Sequence, residues 1–179
     1  MNNIDTNAIP RKVDRIHYAP QHAYCHSQEP IGFWAVVNLP YLDALALETT
    51  VDYLVPTGLY PRRRVLDVGS GSGYTTHLLA EMVGDQGLVI GIDHFHELRD
   101  LGERSMRASD RGRELLDAGN VVFVSGDGRD GLSGDQRSDI AGVDDNTKWD
   151  VIHVGASARW TVPQELMRQL KSPGWWVDP

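Results

Sequence analysis

A single cysteine, Cys25, stands in 179 residues, so no disulfide can form within the chain. The opening stretch MNNIDTNAIPRK has no apolar core and does not read as a signal peptide. Nowhere do apolar residues approach the run of roughly 20 that a bilayer span needs, so no membrane partner is expected. Positive charge is also scarce: 17 Lys and Arg face 25 Asp and Glu, a formal net charge of -8, and the Arg clusters are short. No nucleic-acid partner is expected on that balance. Internal repeats and low-complexity tracts are missing too. The expectation is a cytoplasmic globular protein.

What is present fits one α/β domain: 41% of residues are hydrophobic and 23% charged, enough to bury a core at this length. From Arg64 onward, short β-rich runs alternate with helix-like segments. VLDVG (65–69), GLVIGID (87–93), VVFVSGD (121–127) and WDVIHVG (149–155) read as strands. YTTHLLAEMVG (74–84), HELRDLGERSMRA (96–108) and VPQELMRQL (162–170) read as helices. Apolar strands separated by helices predict a mostly parallel, doubly wound sheet of Rossmann-like type. Residues 131–148, polar and rich in Gly and Asp, read as a long mobile surface loop. Residues 1–63 precede the sheet as a cap and substrate segment, with an amphipathic helix over 41–54; residues 64–179 form the sheet unit.

The strand VLDVG runs into Gly69-Ser70-Gly71-Ser72-Gly73 and then into a helix starting near Tyr74. Strand, glycine-rich turn and helix make the setting for a nucleotide-type ligand, because glycines allow close backbone approach and the helix start offers unpaired N–H groups. A dinucleotide fingerprint wants G-x-G-x-x-G, and here the third glycine comes one residue early, which disfavours NAD. The spacing D-x-G-x-G-x-G is similar to motif I of the class I S-adenosylmethionine-dependent methyltransferases. That resemblance implies that Asp67 holds the amino-acid end of the cofactor. Asp93 ends the next strand, where a carboxylate can accept from both ribose hydroxyls, and Asp127, beside Gly128, is placed to accept from an adenine amino group. Taken singly, each aspartate is as readily a helix cap or turn residue. Three at successive strand ends point to a ligand.

Together VLDVGSGSGYTT, GLVIGIDHFHEL, VVFVSGDGRDGL, WDVIHVGASA and VPQELMRQLKSPG resemble the protein-L-isoaspartate O-methyltransferase family, and the likeness reaches upstream through DRIHYAP and IGFWAVVNLPYLDALALE. The resemblance implies S-adenosylmethionine as cofactor, an isoaspartyl protein or peptide as acceptor, and methylation of its α-carboxylate as the start of repair. It also implies a cofactor set of Asp67, Gly69, Ser70, Gly71, Gly73, Asp93, His94, Asp127 and Gly128. An isoaspartyl carboxylate is already ionised at neutral pH and needs no general base, so the residues around it should be positioners.

The chain departs from the family in the acceptor segment. Where the family pattern reads A-T-I-S-A-P-H-M-H-A, this sequence has Ala35-Val36-Val37-Asn38-Leu39-Pro40-Tyr41-Leu42-Asp43-Ala44. Val36 cannot donate a hydrogen bond, and Asp43 is expected to set a negative charge where an anionic acceptor approaches. Asn38 keeps an amide and is the expected catalytic position. Trp34, Val36, Val37, Tyr41, Asp43 and His153 complete the expected substrate set, with Trp34 and Tyr41 either walling an aromatic pocket or packing the cap onto the sheet. These substitutions predict weak isoaspartyl turnover. They leave open a small-molecule acceptor, through methylation or another reaction such as isomerisation or cyclisation, and a non-catalytic cofactor-binding module. His17, His22, Cys25 and His26 match no common zinc spacing, so no metal is expected. Family members continue into further strands, whereas this chain stops after Trp175-Trp176-Val177-Asp178-Pro179. Trp175–Val177 is therefore expected as an edge strand, and its two tryptophans make a homodimer a possible partner state.

Overall fold

The computed structural model describes residues 9, 11–156 and 163–177. A short antiparallel hairpin, β1 (Glu29–Gly32) and β2 (Ala35–Val37), leads into α1 (Pro40–Leu54). Pro40 opens that helix at its first turn, where its fixed φ suits the helix and its missing N–H goes unmissed. The chain then alternates: β3 (Arg64–Val68), α2 (Tyr74–Val83), β4 (Leu88–Asp93), α3 (His96–Arg107), α4 (Asp110–Asp117) and β5 (Val121–Ser125). After the short α5 (Gly134–Ser138) come β6 (Trp149–Val154), α6 (Gln164–Gln169) and β7 (Leu170–Val177). The five later strands form one sheet in the order β5-β4-β3-β6-β7, with every neighbouring pair parallel. The doubly wound expectation holds.

β4 and β6 are buried along their whole length, which is why they read as nearly unbroken apolar runs. Alternation assigns the two faces. Val65 and Val151 join a cluster with Leu47 and Leu54 of α1, Leu78 and Met82 of α2, and Ile9, Val13, Tyr18 and Ala19 from the N-terminal segment. Leu66, Ile90 and Ile152 face the other side, against Leu132, Ile140, Val143 and Leu166. The N-terminal segment and the sheet thus share one core.

Three local differences from the sequence reading have physical causes. Residues 131–148 are packed down, because the buried Arg137 donates to the carbonyls of Leu132, Asp144 and Thr147 and so gathers the loop around itself. α4 is absent from the sequence reading; its polar sequence DRGRELLD hides a helix capped by Ser109 and anchored by the buried Leu115 side chain, with Gly112 buried beside the preceding turn. The edge strand runs from Leu170, longer than Trp175–Val177, and pairs with β6. Its tryptophans are partly used internally: Trp175 stacks on Tyr53 with centroids 5.4 Å apart, and Trp176 packs against the second cluster. No described helix is long and apolar enough to cross a membrane.

Candidate active site

The chain leaves β3 for β4 and β5 on one side of the sheet and returns to β6 and β7 on the other. The carboxyl ends of β3 and β6 therefore border the switch point, where open α/β sheets form their ligand crevice. The loop after β3 turns there with Gly69 at φ 82° and Gly73 at φ 83°, in the left-handed region where side chains are strained. Close packing excludes side chains as well. A Cβ on Gly69 would stand 2.8 Å from the Ala156 Cβ, and one on Gly73 would stand 3.0 Å from the carbonyl oxygen of Gly102.

Asp93, at the end of β4, ties this loop down. One carboxylate oxygen accepts from the Gly71 N–H at 3.0 Å and the other from the Phe95 N–H at 3.2 Å. Burial pushes its carboxyl above the usual range. Asp127, after β5, is half-buried and accepts from the Arg129 N–H at 3.0 Å and Nε at 2.9 Å. Those bonds hold its carboxyl down at about 2. Gly128 lies against Val68, and His94 is exposed with its ring edge-on to Phe95. Asp127, Asp93 and the glycine loop thus occupy the ends of β5, β4 and β3, neighbours in the sheet.

Asp67 is placed differently from its expected role. It is fully buried, and its two oxygens face inward: Oδ2 accepts from the Thr76 hydroxyl at 2.6 Å and Oδ1 pairs with His153 Nδ1 at 2.7 Å. Parallel pairing of β3 with β6 sets these two residues side by side, and alternation turns both toward α1 and α2.

Val36, Val37 and Asn38 sit across a narrow cleft from Gly69–Ser72, which Tyr74, Thr75, His153 and Gly155 also line; it has room for about 30 Å³. The expected acceptor segment and the glycine loop do meet. Trp34 and Tyr41 take no part in it. Phe33 and Trp34 both have positive φ, which turns the hairpin tip outward and leaves Trp34 wholly exposed, and Tyr41 is 57% exposed on the outer side of α1. Phe33 instead stacks near Phe95, with centroids 5.0 Å apart.

Asp43 also differs from its reading. Its carboxylate is buried, paired with Arg15 at 3.3 Å and accepting from the Thr75 hydroxyl at 3.0 Å, so it presents no open charge to an incoming anion. Burial raises its carboxyl to about 6, against the pull of Arg15. Sequence reasoning misses Arg15. It donates to the Asn38 carbonyl as well and lies 4.8 Å from the centre of the Tyr74 ring, so it fixes the backbone at Asn38. The only signal in the sequence is an arginine within DRIHYAP, a stretch that otherwise supplies core residues. Among the described residues, no three His, Cys, Asp or Glu side chains gather to hold a metal.

A family model for protein-L-isoaspartate(D-aspartate) O-methyltransferase matches residues 6–179. The chain is 36% identical over 169 residues to a Caenorhabditis elegans protein-L-isoaspartate O-methyltransferase, covering 94% of this chain and 67% of the relative. It is 37% identical over 177 residues to protein-L-isoaspartate O-methyltransferase 2 of Arabidopsis thaliana, covering 96% of this chain and 50% of the relative. The chain therefore spans about half to two thirds of the length of these two curated relatives. In fold it is similar to a crystal structure of a Plasmodium falciparum protein of the same description in complex with S-adenosyl-L-homocysteine. The TM-score is 0.81 at 24% identity, covering 100% of this chain and 77% of the other.

Proposed function

The chain belongs to the protein-L-isoaspartate(D-aspartate) O-methyltransferase family, and from that premise we propose that it transfers a methyl group from S-adenosylmethionine to the α-carboxylate of isoaspartyl residues in proteins and peptides. The observation that carries this reading is the cleft in which Val36, Val37 and Asn38 face the glycine loop, because it brings an acceptor segment and a cofactor loop together at the switch point of the sheet.

The residues fit the cofactor. Asp93 takes the ribose hydroxyls, Asp127 takes the adenine amino group, and the loop from Gly69 to Gly73 gives its backbone to the amino-acid end. The close packing at Gly69 and Gly73 supports this, since the turn admits no side chain between the sheet and a ligand. The cofactor supplies an electrophilic methyl on a sulfonium. The protein's share is orientation and water exclusion, because a carboxylate that titrates near its ordinary value of about 4 is already ionised at neutral pH. Asn38 orients that carboxylate through its amide, with its backbone held by Arg15. The exposed Cys25 and the missing disulfide suit the cytoplasm as the place of action.

The test is transfer of labelled methyl to an isoaspartyl peptide beside its aspartyl twin. Base-labile label on the isoaspartyl peptide alone is expected; label on neither peptide overturns the reading.

A further inference from the structure

We propose that Thr75 is a specificity-determining residue for the acceptor: its hydroxyl oxygen accepts the backbone N–H of the isoaspartyl residue while the Asn38 amide orients the carboxylate on the same Cα. This rests on the reading above and supplies the second half of the acceptor contact.

The first argument is the direction of one proton. Thr75 stands in the first turn of α2, directly after the glycine loop, and lines the cleft together with Val36, Val37 and Asn38. Its hydroxyl donates to Asp43 Oδ1 at 3.0 Å. Asp43 is paired with Arg15 and titrates at about 6, so above that pH it is a carboxylate with no proton to give in return. A hydroxyl has one proton and two lone pairs. With the proton turned to Asp43, Thr75 can only accept from a group in the cleft. It offers nothing to a carboxylate and suits an N–H.

The second argument is a shared anchor. Arg15 donates both to Asp43 and to the Asn38 carbonyl, so one buried ion pair holds the Thr75 hydroxyl on α2 and the backbone at Asn38. The spacing of the two cleft groups is thereby set before an acceptor arrives. In an isoaspartyl residue the amide nitrogen and the carboxylate carbon are bonded to the same Cα. In an aspartyl residue a further carbon separates the side-chain carboxylate from that Cα. A donor and an acceptor held at fixed spacing can match the first arrangement and not the second, and the mismatched residue leaves a polar group unpaired. The next hydroxyl, on Thr76, is fully buried and taken by Asp67, so Thr75 is the threonine of this turn that lines the cleft.

The experiment deletes the N–H from the acceptor. Two acceptors of one sequence are compared at pH 8: an isoaspartyl peptide, and its ester analogue in which oxygen replaces the isoaspartyl N–H and the α-carboxylate is kept. Calorimetry follows their binding to protein loaded with S-adenosylhomocysteine, and labelled methyl transfer gives kcat/KM. The wild type should favour the peptide about tenfold in both measurements, the loss of one hydrogen bond. Thr75→Val should weaken the peptide by about the same factor and treat the two acceptors alike within about twofold. Thr75→Ser keeps the hydroxyl and should keep the preference. The affinity of both variants for S-adenosylhomocysteine should stay within about twofold, which also checks folding. The proposal is overturned if the wild type does not distinguish the acceptors, a result that needs no variant to fold. It is equally overturned if Thr75→Val keeps the preference, or weakens S-adenosylhomocysteine as much as the peptide, which would assign the hydroxyl to the cofactor. A wild type that neither binds nor methylates the peptide overturns the proposed activity and this role together. One that binds the peptide in preference to the ester yet transfers no methyl overturns the activity and leaves the role of Thr75 standing.

Discussion

Tyr18 and His77 share a buried hydrogen bond of 2.6 Å that ties the N-terminal segment to α2. Burial pushes the Tyr18 phenol above its ordinary range and lowers His77 to about 4. His77 is therefore neutral in the folded protein at neutral pH.

This relationship sets a pH dependence opposed by Asp43. A free histidine titrates near 6.5, so between about 6.5 and 4 the unfolded chain takes up the His77 proton before the folded one does. His77 thus withdraws stability as pH falls through that window. Asp43 is raised from 3.8 to about 6, so between those values the folded chain binds its proton first and stability is gained as pH falls. Over pH 4–6 the two offset each other. Asp43→Asn removes one side of the balance. The urea midpoint of that variant should fall more steeply between pH 6 and pH 4 than the wild type's, whatever its absolute level. Equal slopes would show that the Asp43 shift is absent.

Asp93 holds the glycine loop, and the proposed ribose contact would fall on the same carboxylate. Its two oxygens already hold the N–H groups of Gly71 and Phe95. Asp93→Ala therefore removes both a loop anchor and the expected ribose acceptor. Binding of S-adenosylhomocysteine should weaken by about 1–3 kcal/mol, the cost of leaving buried partners unmatched. Asp93→Asn keeps one acceptor oxygen and should lose less. Calorimetry on both variants checks the order, and an alanine variant that binds as well as the wild type would remove Asp93 from the site.

The succession of parallel strands along the chain is legible because inner parallel strands advertise themselves as apolar runs, and the glycine loop because close backbone approach needs glycine at fixed spacing. Placement of the polar residues is not. Asp67 and Asp43 read as open carboxylates because neither Arg15, 28 residues before Asp43, nor His153, 86 residues after Asp67, is joined to its partner by any local pattern. Only the folded chain supplies those pairings. The exposure of Trp34 follows from two consecutive positive φ values at Phe33 and Trp34, which residue type does not foretell for aromatics.

Arg15 joins stability to the acceptor segment. Arg15→Met strips the counter-charge from a buried carboxylate, and breaking such a pair from one side costs about 3–5 kcal/mol. It also removes the donor to the Asn38 carbonyl. Pairing it with Asp43→Asn should recover much of the stability, since no buried charge is then left alone. Methyl transfer should stay impaired, because the backbone at Asn38 is still unheld. Thermal melting and kcat/KM for the isoaspartyl peptide, measured on the single and double variants, separate the two effects. Activity that returned in step with stability would mean that Arg15 has no part in placing Asn38.

If residues 35–44 are the acceptor segment, as proposed, Val36 is the position at which a hydroxyl should restore activity. Val36 lines the cleft and is 41% exposed, so a hydroxyl there meets no buried apolar surface and has room to turn toward an acceptor. Val36→Thr is close to isosteric and suits an extended strand. One added hydrogen bond is worth about 0.5–1.5 kcal/mol, so kcat/KM for an isoaspartyl peptide should rise roughly two- to tenfold. Asp43→His, the other apparent reversion toward the family pattern, should do harm, because it leaves the buried Arg15 without its carboxylate and Thr75 without its acceptor. The combined variant should therefore melt well below the Val36→Thr protein. Kinetics and melting on the three variants decide the matter: if Asp43→His is tolerated and Val36→Thr brings no gain, the contacts around Arg15 and the cleft-facing place of Val36 do not govern the acceptor segment.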